Sequence, residues 1–195
     1  VSIESSESSP YLCLKVKLAS NNLYQRIQTS LVGNYNYENV LAAITVGHYM
    51  GVPIEQIKDA IESYNPSNSR SQLVRTAKNT VILDAYNANP SSMEVALKNF
   101  VSNRNENKVA IIGEMLELGN YSAIEHKRVV ELVKSLGFSL VILIGKNFEQ
   151  ESKGCLFFKD SELCSQYLIE HPIQNAFILL KGSRGVKLEK VMGKL

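Results

Sequence analysis

The sequence has almost no surplus of either charge. Its 21 Lys and Arg stand against 19 Asp and Glu, a net charge of +2, and no basic run gathers anywhere. The electrostatic footprint of a nucleic-acid binder is therefore missing. Cysteine is scarce: Cys13, Cys155 and Cys164 form no CxxC spacing, which argues against a disulfide framework or a zinc site and fits a reducing cytoplasm. The three histidines form no HxxxH pair. No apolar run approaches the ~20 residues a membrane span needs, and no signal peptide is read at the start. A G-x-x-x-x-G-K-[ST] phosphate loop is absent too. The partners expected are small molecules or protein surfaces, with no nucleic acid, no membrane and no metal site. The chain opens on Val1 rather than Met, from which we expect an excised fragment.

What is present is a chain of 195 residues, 45% apolar, enough for one or two domains at roughly 100–200 residues each. The first nine residues are Ser/Glu-rich and carry little pattern. Leu12, Leu14, Val16 and Leu18 then alternate with Cys13, Lys15 and Lys17, the period of a half-buried strand. A second strand over 23–31, joined through Asn21-Asn22, completes an antiparallel hairpin. After Gly33 the period changes to helical. Val40, Leu41, Ile44 and Met50, with small Ala42, Ala43 and Gly47, predict a tightly packed helix stopped by Gly51. Pro53 opens another over 54–64. The polar stretch Asn65-Pro66-Ser67-Asn68-Ser69 breaks the pattern, and we expect the domain boundary just beyond it, dividing 1–75 from 76–195.

From Thr80 onward short apolar runs at 81–83, 109–112, 140–144 and 177–180 alternate with helical stretches. Such runs suit strands buried on both faces of a parallel sheet. The predicted class is α/β: a C-terminal doubly wound, Rossmann-like, mostly parallel sheet with right-handed crossovers, preceded by the hairpin and helices. The first helix is expected to open on a capping box at Ser91-Ser92-Met93-Glu94.

Ligands bind such sheets beyond the carboxyl ends of the strands. The segments expected there are Asp84-Ala85-Tyr86-Asn87-Ala88-Asn89-Pro90, Gly113-Glu114-Met115, Gly145-Lys146 and Lys181-Gly182-Ser183-Arg184-Gly185. An Asp at a strand end can accept both ribose hydroxyls. Paired Asn amides, such as Asn36 and Asn39, offer the donor and acceptor that an adenine edge requires. Arg70 can reach phosphate as a two-pronged donor, and Lys181, Arg184 and the amides after Gly182 can hold a carboxylate. Each also has a plainer reading. Asn36 can cap a helix, Asp84 can cap its loop, Asn87 and Asn89 can hold turns, and Ser183 can start a helix. Tyr86 can be packing, and His126 can be a core or surface side chain.

Four segments, in order, resemble the Mur ligase family. Asp84-Ala85-Tyr86-Asn87-Ala88-Asn89-Pro90-Ser91-Ser92-Met93 is similar to D-x-Y-N-A-N-P-x-S-M, a signature of the branch that adds D-alanyl-D-alanine. Gly113-Glu114-Met115-Leu116-Glu117-Leu118-Gly119, followed by His126, is similar to G-D-M-x-E-L-G…H. Lys181-Gly182-Ser183-Arg184 matches K-G-S-R. Gly33-Asn34-Tyr35-Asn36-Tyr37-Glu38-Asn39 with Ala42-Ala43 looks like G-x-H-N-x-x-N…A-A. Three departures stand out: Tyr35 replaces a His, Leu83 a first Asp, and Glu114 the Asp of the second segment.

The resemblance implies that 1–75 is the end of a central ATP-binding domain and 76–195 a C-terminal Rossmann-like ligand-binding domain. It implies a cytoplasmic ATP-dependent ligase of peptidoglycan synthesis. That enzyme joins D-alanyl-D-alanine to UDP-N-acetylmuramoyl-tripeptide through an acyl phosphate, with Mg2+ as the metal. Asn36 and Asn39 fall on adenine-contacting positions, Arg70 on a phosphate-approaching arginine, and Asp84 on a ribose-binding aspartate. Tyr86, Asn87, Asn89, Lys181, Ser183 and Arg184 fall near phosphate or dipeptide. No catalytic residue is assigned within the chain. The metal ligands and the phosphate loop are expected in missing N-terminal domains, so the chain alone is expected to be inactive. The competing readings are a non-catalytic Rossmann-type nucleotide-binding module and a sister muramyl or folylpolyglutamate ligase.

Overall fold

The computed structural model describes residues 2–8, 11–17, 24–67, 69–103 and 105–195, with side chains from Tyr11 onward. It divides into two units, Val1–Ser67 and Asn68–Leu195.

In the first unit β1 (Ser2–Ser8), β2 (Tyr11–Lys17) and β3 (Tyr24–Val32) form an antiparallel sheet in that order. The hairpin of β2 and β3 was expected; its Asn21-Asn22 turn lies outside the described residues, as does Asn68 of the polar breaker. β1 was not expected, because a Ser/Glu-rich segment carries no alternation to read. It is in place through main-chain pairing with β2, from Ser2 opposite Lys17 to Ser8 opposite Leu12. Leu12, Leu14 and Val16 turn one face of β2 inward. They meet Ile27 of β3, Val40 and Ile44 of α1 (Tyr37–Tyr49), and Ile57 of α2 (Ile54–Ser63). The Glu62 carboxylate ties α2 to the sheet by accepting from the Gln28 amide at 2.9 Å. The tight packing predicted for α1 holds only along the Val40–Ile44 stripe. Ala42, Ala43, Val46, Tyr49 and Met50 are exposed, Tyr49 by 87%.

The second unit is built on a six-stranded sheet. β4 (Gln72–Arg75) pairs antiparallel with β5 (Thr80–Asp84), and the order continues through β9 (Phe177–Lys181), β6 (Lys108–Gly113), β7 (Leu140–Ile144) and β8 (Leu156–Phe158), all parallel. The short edge strands β4 and β8 add to the four strands predicted. Pairing of β4 with β5 ties residues 72–75 to the second unit, whose division from the first falls after Ser67. Val81, Leu83, Val109, Ile111, Ile142, Ile144, Ile178 and Leu180 turn to one face and pack on Cys164 and Leu168 of α5 (Ser161–Glu170) and Val191 of α6 (Glu189–Met192). The alternate residues turn to the other face by the pleat. There α3 (Pro90–Val101) packs beside α4 (Ser122–Ser135), and Phe100 of α3 stacks on Phe177 of β9 at 4.7 Å. With both faces covered, the strands read as continuous apolar runs.

β9, the last strand in sequence, lies between β5 and β6. The loops leaving β5 and β6 thus flank the loop leaving β9, which gathers three of the four predicted segments at one rim. Among the described residues no helix is long and apolar enough to cross a membrane.

Candidate functional site

The rim begins with two backbones in contact. A Cβ on Gly182 would stand 2.7 Å from the Gly113 Cα, closer than side chains pack, so these neighbouring strand ends meet because Gly182 carries no side chain. Ser183, next along, is buried and joins three loops. Its amide donates to the Glu114 carbonyl at 3.2 Å, its hydroxyl accepts from the Leu116 amide at 3.0 Å, and the same hydroxyl donates to the Ala88 carbonyl at 3.4 Å. The side chain that the resemblance placed near phosphate or dipeptide is here a brace between the loops after β5, β6 and β9.

His126 braces the same rim from below. Its Nε2 accepts from the Met115 amide at 3.0 Å, and its Nδ1 lies 2.7 Å from the Ser122 carbonyl. A carbonyl can only accept, so Nδ1 carries the proton and the ring is neutral. Burial, edge-on against Phe148, lowers its pKa from the usual 6.5 despite the Ser122 carbonyl and Glu114. The core reading of His126 is the one the geometry fits. Glu114, the longer carboxylate in place of Asp, accepts from the Asn147 amide at 3.0 Å, which ties the β6 and β7 loops together.

The helix that opens beside Ser183 starts earlier than predicted. Asn89 is its N-cap, Pro90 its first residue, and the capping box runs from Asn89 to Ser92, with the Asn89 side chain accepting from the Ser92 amide at 2.8 Å. The expected box at Ser91–Glu94 is displaced because Pro90 has φ already set for a first helical turn. Glu94 instead pairs with Lys98 at 2.6 Å and Arg128 at 2.8 Å. Asn87 accepts from the Ala88 amide at 2.8 Å. Both asparagines thus shape the loop through their side-chain oxygens.

Asp84 closes β5. One carboxylate oxygen accepts from the Ser71 amide at 3.2 Å, the other from the Lys181 ammonium at 2.6 Å. Lys181 is 2% exposed, so the predicted carboxylate ligand is committed inside the rim. Arg70 and Arg184 are exposed, and both approach Tyr86: their guanidinium carbons stand 3.9 and 5.5 Å from its ring centroid. The half-buried ring is a platform for two cations. The chain thus brings Arg70, Asp84, Tyr86, Lys181, Ser183 and Arg184 together at one rim, with Asn87 and Asn89 on the adjoining loop.

Asn36 and Asn39 belong to the first unit. Asn36 occupies the N-cap position of α1, but its side chain makes no cap bond. Its amide group donates to the Val32 carbonyl at 2.9 Å, and its oxygen accepts from the Asn39 amide group at 3.2 Å. Asn36 is buried and Asn39 exposed, so the inner amide orients the outer one.

Sequence reasoning missed Ser69 and Ser71, which hold left-handed backbone at φ 57° and 50° on either side of Arg70. No residue type announced them, since serine is not a habitual left-handed residue. Burial pushes the Cys164 thiol up to about 12, which leaves it inert. Among the described residues no three His, Cys, Asp or Glu side chains gather to hold a metal ion.

Known proteins share this fold. Residues 69–184 match the family model described as Mur ligase, glutamate ligase domain. The UDP-N-acetylmuramoyl-tripeptide–D-alanyl-D-alanine ligase of Buchnera aphidicola subsp. Baizongia pistaciae is 33% identical over 189 residues, covering 93% of this chain and 40% of that protein. A crystal structure of MurF from Acinetobacter baumannii superposes with a TM-score of 0.85 at 25% identity, over 99% of this chain and 44% of its own. MurF from Thermotoga maritima, solved in complex with ADP, shares the fold at a TM-score of 0.79 and 19% identity, over 98% and 45%. The chain thus spans about two fifths of the length of the relatives it matches. With the family model covering the whole rim from Ser69 to Arg184, the chain belongs to the Mur ligase family.

Proposed function

We propose that this chain is the nucleotide- and dipeptide-facing part of an ATP-dependent ligase that joins D-alanyl-D-alanine to UDP-N-acetylmuramoyl-tripeptide in the cytoplasm. The observation that carries the reading is the rim itself. An aspartate at a strand end, two exposed arginines on one tyrosine, and the Tyr-Asn-Ala-Asn-Pro loop stand together at the carboxyl edge of a parallel sheet. The name of the Buchnera relative supports the substrate pair, and the ADP in the Thermotoga structure supports the nucleotide.

In this reading ATP phosphorylates the tripeptide's terminal carboxylate. The amine of D-alanyl-D-alanine then attacks the acyl phosphate, forming the amide and releasing phosphate. The contribution of the rim is positioning and charge complementarity, which supply most of the catalysis in phosphoryl and acyl transfer. Asp84 accepts ribose hydroxyls, and Asn39, held by Asn36, meets the adenine edge. Arg70 faces phosphate, and Arg184 holds the dipeptide carboxylate. Asn87 and Asn89, whose oxygens are occupied, offer their amide N–H groups to phosphate or dipeptide. Among the described residues no three His, Cys, Asp or Glu side chains gather; no step is derived through magnesium, and by the family resemblance its ligands are expected in the N-terminal remainder of the ligase.

The test is complementation. This chain, mixed with the N-terminal remainder of such a ligase, should release ADP only when tripeptide and D-alanyl-D-alanine are both present. Well-folded halves that associate yet release no ADP would sink the proposal.

A further inference from the structure

Lys181 is the one rim cation that cannot reach solvent: it is 2% exposed and its ammonium is 2.6 Å from Asp84. The other oxygen of Asp84 accepts from the Ser71 amide, and the next residue along, Ala85, donates its own amide to the Ser69 carbonyl at 2.9 Å. The tripeptide Ser69-Arg70-Ser71 is therefore pinned at both ends to the terminus of β5. Both pins hold serines in left-handed backbone, at φ 57° and 50°, a conformation that a non-glycine residue keeps only when its surroundings impose it. Between them Arg70 lies over Tyr86 at 3.9 Å.

We propose that Lys181 is a positioning residue. Through Asp84 it latches the strained Ser69–Ser71 segment to the sheet and so keeps the Arg70 guanidinium stacked on Tyr86. Charge is what makes this work. A carboxylate buried beside an ammonium is fixed in rotamer by a short ionic hydrogen bond, and only a fixed carboxylate can hold the Ser71 amide against the tendency of serine to leave the left-handed region. Removing the ammonium frees the carboxylate to turn to water, which loosens the Ser71 amide N–H and with it the placement of Arg70. The latch deepens the ligase reading, in which Arg70 faces phosphate, but it is a property of the unliganded chain.

Two ligand-free measurements test it on this chain: hydrogen exchange at the Ser71 amide, and the NMR shifts of the Tyr86 ring protons, which sense the guanidinium over the ring. Lys181→Met should speed Ser71 exchange about tenfold or more and move the Tyr86 signals, while amides of β6 and β7 keep their protection. Lys181→Arg should restore both readouts, because the charge and its bond to Asp84 return. Should Lys181→Met fail to fold, Asp84→Asn provides the same test, since it keeps the shape and removes the ionic bond. A folded Lys181→Met or Asp84→Asn with unchanged Ser71 exchange and unchanged Tyr86 shifts overturns the proposal, as does exchange that Lys181→Arg fails to restore. Neither readout involves nucleotide or dipeptide, so the latch and the ligase reading stand or fall separately.

Discussion

The two units bury their apolar residues in different ways. In the second unit the sheet is covered on both sides, so every strand from β5 to β9 except the edge strand β8 presents a fully buried stretch. The first unit has a three-stranded sheet packed by two helices, and α1 shows Val46, Tyr49 and Met50 to the outside. The difference teaches where stability and function separate. A sheet buried on both faces can carry a rim of polar groups cross-braced by Ser183, His126 and Glu114, because the strands beneath them are packed on either side.

The largest break in the comparison should come from Ile111→Ala. Ile111 is fully buried at the centre of the six-stranded sheet, and a large-to-small change there typically costs about 2–5 kcal/mol. Urea unfolding should register that loss in the second unit's transition.

Next is pH. Burial holds His126 below the usual 6.5, so the unfolded chain takes up a proton that the folded chain refuses. Its contribution to stability is complete above pH 6.5 and is lost as the pH falls beneath that value. Urea midpoints measured at pH 7.5 and 5.5 should drop at the lower pH, and His126→Gln should flatten the difference.

A smaller loss, about 1 kcal/mol, is expected for Asn89→Ala, which removes the α3 cap bonds. Thermal melts should place it below Ile111→Ala and above the substitution that follows. The least effect on stability belongs to Val46→Ser on the exposed face of α1, within about 0.5 kcal/mol. Because it thins an apolar patch, light scattering should show less self-association at high concentration.

The parallel strands were legible because each is a short apolar run bounded by turn residues, and burial on both faces writes that pattern directly into the sequence. β1 was not legible, since its Ser/Glu composition has no apolar alternation and its pairing is main-chain to main-chain. β4 and β8 were missed for a related reason: short edge strands bury little and so leave little pattern. At the rim the sequence could name polar residues but not their partners. Asp84 and Lys181 are 97 positions apart, and only the placement of β9 beside β5 makes them neighbours. The capping box slipped toward the N-terminus because Pro90 outweighs a Ser-x-x-Glu pattern one residue further on. Ser69 and Ser71 were invisible, since serine does not announce left-handed backbone and their bonds to Ala85 and Asp84 join residues far apart in sequence.

The contact between Gly113 and Gly182 carries a consequence for anyone redesigning this domain. A methyl group on Gly182 would stand 2.7 Å from the Gly113 Cα, so a saturation library at position 182 should return glycine almost alone. Gly113, whose nearest neighbours would stand 3.1–3.2 Å from such a group, should be the more permissive of the two. Redesign is therefore easiest at exposed side chains such as Asn87 and Arg184, with Gly182 left as the fixed pivot on which the loops converge.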